Sequence, residues 1–344
     1  MSAAQPLTAV LAVDGGNSKT DLALVGSDGS VLAVVHGPSV SHQQVGMQRG
    51  LERLARLAEA ATREAGLDPA RRPLAAVGSF CLAGVDSPAD VRRHARGLAA
   101  EGLARRDLVH GDVEAALRAG ASRAWGVAII CGAGINGAGR APDGRTIRFP
   151  ALGTISGDWG GGEDVGLAAL GAAVRARDGR GPRTAFERAV PSHFGLARPV
   201  DVSWALEQGR LPQPRLAELA PLVYRLAAGG DGAALEIVDR LADEVAAIAS
   251  ALIRRLRLAR LDVEVVLGGG LLRAAPASLV MRVRAQVERV APAATIIVLD
   301  APPLLGAALL GMDALRSGLP TRGGATEANL RAGLGPRDLD TMGA

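Results

Sequence analysis

The chain alternates between short apolar runs and longer stretches whose hydrophobic residues recur with helical spacing. The first apolar run, residues 8–13, ends at Asp14 and two glycines, and its length and flanks predict a buried strand. Residues 21–25 and 31–35 predict two further strands joined at Asp28-Gly29, a dipeptide typical of hairpin turns. The pattern then predicts a helix (43–65), a strand (74–82), a helix (89–100), a strand (107–110) and a helix (113–119).

The same order of elements begins again after Trp125. A buried strand over 126–130 ends in a glycine turn, a hairpin turn at Asp143-Gly144 follows, and a helix is predicted over 164–177. The sequence therefore predicts an α/β protein in which one plan occurs twice, with a ligand cleft between the two domains. The predicted domains are 1–120 and 121–320, the second with a helical insertion at 184–260, followed by a loosely ordered tail at 321–344.

Composition and charge exclude several classes of protein. Hydrophobic residues make up 48% and charged residues 22% of the 344 residues, which excludes a disordered or fibrous chain. The net charge is +4, yet aromatic residues make up 2% and the arginines are scattered, which argues against a nucleic-acid partner. No apolar run is long enough to predict a membrane span, and the first residues do not resemble a secretory signal. Two cysteines, Cys81 and Cys131, are too few for a disulfide framework or a four-ligand zinc site, and we expect a cytoplasmic protein.

Three glycine-rich turns each follow a predicted strand and carry the candidate chemistry. Successive glycine amides can surround a phosphate, although a glycine turn after a strand is also ordinary local structure. Lys19, the only lysine of the chain, and Thr20 close the first turn and add a charge and a hydroxyl. Asp14 could approach a metal ion or merely cap the turn. A Walker A sequence is absent, and none of the turns gives a GxGxxG sequence that opens a Rossmann unit. The turns are Asp14-Gly-Gly-Asn-Ser-Lys-Thr20, Gly132-Ala-Gly134 and Gly268-Gly-Gly270.

The order of these motifs along residues 8–315 resembles the N-acetylglucosamine kinases of the BadF/BadG/BcrA/BcrD group, within the actin-like ATPases. The resemblance rests on the three turns together with Leu82-Ala-Gly-Val-Asp86, Gly111-Asp112, Cys131-Gly-Ala-Gly-Ile-Asn136 and Ser156-Gly-Asp158-Trp-Gly-Gly-Gly. It implies two actin-like, ribonuclease H-like domains, ATP and Mg²⁺ as cofactors, an amino sugar as substrate and a homodimer. The expected reaction is phosphorylation of the 6-hydroxyl of N-acetylglucosamine or glucosamine.

The resemblance also implies a role for each matching residue. Asp112 corresponds to the general base and Asp14 to the residue on the magnesium side. The residues that correspond to ATP and phosphate contacts are Gly15, Gly16, Asn17, Lys19, Thr20, Gly132, Ala133, Gly134, Gly268, Gly269 and Gly270. Those that correspond to sugar contacts are Ser41, His42, Gly84, Asp86, Asn136, Gly157 and Asp158.

Two departures from the family pattern leave the substrate open. Trp159 stands where the family commonly has an acid, with Glu163 and Asp164 a few residues later, and Ser41 stands where asparagine is common. An acid near the sugar's 2-position would favour glucosamine, whereas an apolar wall would favour N-acetylglucosamine. Alternative functions are a kinase for N-acetylmuramic acid, glucose or another hexose, and an ATP-driven electron activator that holds an iron–sulfur cluster through two cysteines per chain. A helix next to Asp112 also allows this residue to be a simple helix cap.

Overall fold

A computed structural model describes residues 8–17, 19–85, 87–316 and 324–335. The ten strands are β1 (Thr8–Gly15), β2 (Lys19–Val25), β3 (Val31–Pro38), β4 (Ala75–Leu82), β5 (Ala104–His110), β6 (Gly126–Cys131), β7 (Ile135–Arg140), β8 (Thr146–Arg148), β9 (Glu264–Gly268) and β10 (Thr295–Val298). The α-helices are α1 (His42–Val45), α2 (Met47–Glu64), α3 (Pro88–Glu101), α4 (Asp112–Gly120), α5 (Gly162–Asp178), α6 (Phe186–His193), α7 (Pro199–Glu207), α8 (Ala220–Ala228), α9 (Gly232–Leu256), α10 (Gly270–Arg273), α11 (Ala277–Glu288), α12 (Pro303–Leu315) and α13 (Ala325–Leu334). These counts refer to the described ranges.

The chain divides into two compact units. Unit 1 comprises Met1–Gly126 and Leu299–Ala344, and unit 2 comprises Val127–Val298. The first division falls six residues after the predicted boundary at 120. The second division, at residue 299, differs from the prediction, which continued the C-terminal domain to 320. The reason is that the apolar face of α12 packs against the sheet of unit 1.

Unit 1 is built on a five-stranded sheet with the order β3-β2-β1-β4-β5. Strands β1, β2 and β3 pair antiparallel as two hairpins, whereas β1, β4 and β5 pair parallel. The central strand β1 is buried on both faces, as expected for an uninterrupted apolar run. Helices α2 and α3 cover one face and α4, α12 and α13 cover the other. The carboxyl ends of β1, β4 and β5 therefore lie at one edge of the sheet.

The last helices of the chain complete unit 1. Gly306 of α12 lies so close to the backbone of Ala115 in α4 that a Cβ at this position would overlap it. The buried Arg118 of α4 forms an ion pair with the partly buried Asp313, at 2.7 Å between Nε and Oδ2. Leu330 and Leu334 of α13 are buried in the same core. Residues 325–334 thus form a docked helix within the segment predicted to be loosely ordered, because a short amphipathic helix gains its stability from tertiary packing.

Unit 2 repeats the plan with the sheet order β8-β7-β6-β9-β10. Strand β9 pairs parallel with both β6 and β10, and β7 and β8 form an antiparallel hairpin. The insertion between α5 and β9 is helical, and its longest helix, α9, presents an almost continuous apolar face to the core. The prediction of an α/β fold with a duplicated plan is confirmed.

Two local differences from the sequence predictions affect the site. The helix predicted over 43–65 is interrupted at Gly46, whose φ of 80° separates the short α1 from α2. Helix α4 begins at Asp112 itself with Gly111 as its N-cap, so Asp112 lies in the first turn and is not the cap. Within the described ranges, no helix is long and apolar enough to cross a bilayer.

Candidate active site

The predicted catalytic carboxylate, Asp112, and the predicted metal-binding carboxylate, Asp14, both belong to strand ends of unit 1. Asp14 is near the end of β1, where it is the register partner of Cys81 on β4, and Asp112 follows the end of β5. Burial, followed by the negative charges of Asp112 and Asp21, raises the pKa of Asp14 from 3.8 to about 7, against a lowering by Lys19. The Asp14 carboxyl therefore interacts electrostatically with Asp112, and a cation beside it would relieve this repulsion.

The first glycine turn closes the hairpin between β1 and β2. The N–H of Gly16 donates to the carbonyl of Lys19 at 2.9 Å, and the hydroxyl of Ser39 donates to the carbonyl of Gly16, also at 2.9 Å. A Cβ at Gly15 would overlap the side chains of Leu82 and Val40. Gly15 is therefore closely packed against these two side chains, while Asn17 is exposed at the tip of the turn.

Lys19 and Thr20 both have protein partners. The ammonium of Lys19 lies 2.8 Å from Oδ2 of Asp21, and Nδ1 of His36 lies 2.7 Å from Oδ1 of the same carboxylate. Thr20 is fully buried, and its hydroxyl accepts a hydrogen bond of 3.1 Å from the N–H of Val40. Lys19 is 69% exposed at its side chain and remains accessible to an anion, whereas Thr20 holds the segment that leads to Ser41.

Unpartnered polar atoms occur in the predicted sugar-binding segment of unit 1. Ser41 is 2% exposed, and neither its Oγ nor Nδ1 of His42 has a hydrogen-bond partner within the described chain. An unsatisfied buried polar atom costs about 1–3 kcal/mol, so these two atoms are candidates for contact with a polar ligand. Gly84, with a φ of 78°, lies under the side chain of Gln43 in α1. Asp86 lies outside the described residues.

Three glycine segments meet in unit 2. The N–H groups of Gly162 and Glu163 donate to the carbonyls of Gly132 and Ala133, at 2.8 and 3.2 Å. A Cβ on Gly161 would overlap the backbone of Ala133 and Gly134, and one on Gly269, whose φ is 90°, would overlap the backbone of Cys131. The predicted phosphate turn 132–134 therefore contacts the start of α5, and the predicted nucleotide turn 268–270 packs against Cys131, directly before that phosphate turn. The run 160–162 is absent from the predicted phosphate-binding set, although three glycines directly before a helix were a visible signal.

The remaining predicted sugar contacts of unit 2 lie in short turns. Oδ1 of Asn136 accepts from the N–H of Gly137 at 2.7 Å. The hydroxyl of Ser156 donates to Oδ2 of Asp158 and accepts from the N–H of Leu152, which fixes the orientation of the Asp158 carboxylate. Gly157, with a φ of 82°, is exposed between these two residues.

Trp159 and the acids that follow it have structural partners. The guanidinium carbon of Arg240 in α9 lies 3.9 Å from the centroid of the Trp159 ring, a cation–π contact. Oδ2 of Asp164 accepts from the N–H of Gly160 at 3.0 Å. Burial, followed by the charge of Asp164, raises the pKa of Glu163. Trp159, next to Asp158, is thus in contact with the positively charged guanidinium of Arg240.

Comparisons with known proteins identify the family. The model of the BadF/BadG/BcrA/BcrD ATPase family matches residues 11–311. The chain belongs to this family. A BadF-type ATPase uses ATP. The candidates for nucleotide contacts are the three glycine segments of unit 2 and the Asp14 turn of unit 1.

Relatives of this BadF-type ATPase include named sugar kinases. The chain is 28% identical over 262 residues to an N-acetyl-D-glucosamine kinase of Dictyostelium discoideum, which covers 72% of this chain and 80% of the relative. It is 27% identical over 266 residues to an N-acetylmuramic acid/N-acetylglucosamine kinase of Clostridium acetobutylicum, covering 76% and 85%. A crystal structure from Chromobacterium violaceum, of a protein proposed to be an N-acetylglucosamine kinase, superposes with a TM-score of 0.70 at 26% identity and covers 89% of this chain and all of that one.

The donor groups at the strand ends fit magnesium better than a metal cluster. Among the described residues, no three His, Cys, Asp or Glu side chains form a group that could hold a metal ion. Mg²⁺ needs fewer protein ligands, since it is commonly held by one or two carboxylates, waters and the phosphates of the substrate. Asp14 fits this role, because its carboxyl is half-buried beside the charge of Asp112. Cys81 and Cys131 are both fully buried, and burial raises the pKa of each thiol, which argues against a surface-held iron–sulfur cluster.

Proposed function

We propose that this BadF-type ATPase is a kinase that transfers the γ-phosphoryl group of ATP to the 6-hydroxyl of N-acetylglucosamine. The observation that carries the proposal is the electrostatic coupling of Asp14 and Asp112 at the ends of β1 and β5. Two interacting carboxylates of this kind suit phosphoryl transfer, in which one accepts a proton and the other binds a cation. The names of the relatives support an amino sugar as the acceptor.

Each residue of the site has a defined task in this reaction. Asp112 accepts the proton of the attacking hydroxyl, a contribution of about 10²–10⁴-fold for a positioned base. Asp14 holds Mg²⁺, which supplies positive charge to the phosphate oxygens when it is bound. In unit 1 the turn at 15–17 is the proposed phosphate contact, and in unit 2 the turns at 132–134 and 268–270 are the proposed phosphate and nucleoside contacts. Lys19 exchanges its contact with Asp21 for one with a phosphate oxygen.

The charge near Trp159 favours an acetylated amino sugar over a free one. Arg240 places a guanidinium against the Trp159 ring, next to the proposed sugar ligand Asp158. A positive group there opposes the ammonium of glucosamine and tolerates a neutral acetamide. The same guanidinium also favours a second candidate substrate, N-acetylmuramic acid, because its carboxylate can pair with Arg240.

A coupled assay of ADP release tests the proposal. The wild-type protein is assayed with Mg-ATP and N-acetylglucosamine, N-acetylmuramic acid, glucosamine, glucose or no sugar. We expect turnover with an N-acetylated sugar, and a loss of about 10²-fold or more in kcat for Asp112→Asn. Asp107→Asn is the matched control, because Asp107 is an acid on the same strand β5, away from its carboxyl end. ADP release that is independent of every sugar would contradict a sugar kinase.

A further inference from the structure

We propose that His94 is a positioning residue for sugar recognition, which orients the ring of His42 so that Nδ1 of His42 and Oγ of Ser41 meet a hydroxyl of the sugar. The inference rests on the proposed sugar kinase activity and extends it to a residue that makes no contact with substrate. The expected ligand is a hexose hydroxyl, a group that donates to one atom and accepts from the other.

The two ligand-facing atoms are consecutive in the chain and both lack a partner. Oγ of Ser41 and Nδ1 of His42 are buried side-chain atoms with no hydrogen-bond partner within the described chain. The Ser41 backbone is already fixed, since its N–H donates to Oγ of Ser39 and its carbonyl accepts from the N–H groups of Gln44 and Val45. A neutral imidazole can accept at Nδ1 and a hydroxyl can donate or accept, so the pair suits a sugar hydroxyl.

His94 determines where the His42 ring can lie. The two ring centroids are 4.9 Å apart at an interplanar angle of 72°, an edge-on contact. His94 is 4% exposed on α3, and its Nδ1 lies 2.9 Å from the carbonyl of Asp90. Because a carbonyl only accepts, Nδ1 of His94 carries the proton and the ring is locked in one tautomer and orientation.

The charges around the two rings keep His42 able to accept a hydrogen bond. Burial lowers the pKa of His42, and His94 and Arg93 lower it further, whereas Asp90 raises it. Burial also lowers the pKa of His94, against the hydrogen bond to the Asp90 carbonyl, with smaller effects of Arg93 and Asp90. Among the described residues, the charged groups that act on the pair are thus Asp90 and Arg93, both on α3. The Asp90 carboxylate is committed to the N-cap of α3 through Ser87 and to an ion pair with Arg93.

Steady-state kinetics of three variants test the proposal. We expect His94→Ala to raise KM for the sugar about tenfold, which corresponds to the loss of one hydrogen bond, with kcat and KM for ATP within about twofold of wild type. His94→Phe keeps a ring beneath His42 and should recover most of the affinity. Leu98→Ala is the matched control, since Leu98 is a buried residue one turn further along α3, and it should leave the ratio of the two KM values unchanged.

A double-mutant cycle establishes whether His94 acts through His42. We expect His42→Ala to raise KM for the sugar by a similar factor, and His94→Ala to have no further effect in the His42→Ala background. Additive effects, or equal changes in the two KM values, would overturn the proposal. If no variant turned over any sugar because the wild type did not, the failure would lie with the proposed kinase activity.

Imidazole ¹⁵N NMR of the unsubstituted protein gives an independent readout. The chain has five histidines, so the ring signals can be assigned by single substitutions. We expect the proton of His94 on Nδ1 and that of His42 on Nε2, and a shift of His42 Nδ1 when N-acetylglucosamine is added. An unchanged His42 signal at a saturating sugar concentration would refute the assignment even if every His94 variant failed to fold.

Discussion

Replacing Asp14 by asparagine is expected to abolish kinase activity and yet to stabilise the folded chain at alkaline pH. The Asp14 carboxyl is half-buried at the end of β1, and burial together with Asp112 and Asp21 raises its pKa from 3.8 to about 7. Asparagine has nearly the same shape and carries no charge. The substitution therefore removes the cost of an ionised carboxylate in this position without creating a cavity.

The expected gain in the free energy of unfolding follows from the pKa of Asp14. Raising a pKa from 3.8 to about 7 corresponds to about 4 kcal/mol between the two protonation states. Solvent contact of the half-buried group reduces this to about 2–4 kcal/mol. The pKa of Asp14 is higher in the folded protein than in the unfolded chain, so the protonated carboxyl adds to the free energy of unfolding. This contribution is fully present below pH 3.8 and is lost as the pH rises through about 7. Asp14→Asn should therefore equal wild type near pH 4 and be more stable at pH 8.

Thermal unfolding of the nucleotide-free protein at a series of pH values measures this difference. We expect a Tm for Asp14→Asn that is several degrees above wild type at pH 8, with the gap closing toward pH 4. Asp68→Asn, at an exposed position of the same unit, is the control and should show no such dependence. Millimolar Mg-ATP should then stabilise wild type more than the variant. An offset in Tm that is constant with pH, or a variant less stable at pH 8, would refute the reasoning.

Two further predictions concern the glycine segments and the substrate. Gly161→Ala should raise KM for ATP about tenfold or more and lower the free energy of unfolding by about 1–3 kcal/mol, because the new Cβ displaces the backbone of Ala133 and Gly134. The control is Gly171→Ala, where a Cβ meets nothing within 4 Å. Equal behaviour of the two variants would contradict the prediction. Arg240→Gln should lower kcat/KM for N-acetylmuramic acid relative to N-acetylglucosamine and raise the relative activity toward glucosamine, measured in the coupled assay; an unchanged order of the three sugars would show that Arg240 does not select the substrate.

Sequence reasoning was most successful where structure depends on neighbours along the chain. The apolar runs ending at Asp14, Cys131 and Gly268 are strands, and the glycines after them form turns, because strand burial and turn conformation are decided within a few residues. The family resemblance added Asp112 at a helix start, and the structure places it in the first turn of α4. A repeated order of local patterns thus predicted a repeated sheet.

Contacts between distant segments were decided by the tertiary structure alone. The approach of Gly161 to Ala133 and the edge-on pair of His42 and His94 bring together groups whose local sequence carries no record of the partner. The sequence by itself determined which segments form strands, turns and helices and in what order. The tertiary structure decided which unit α12 and α13 complete and which polar atoms are left without a partner, because burial and hydrogen bonding depend on every segment that packs around a group.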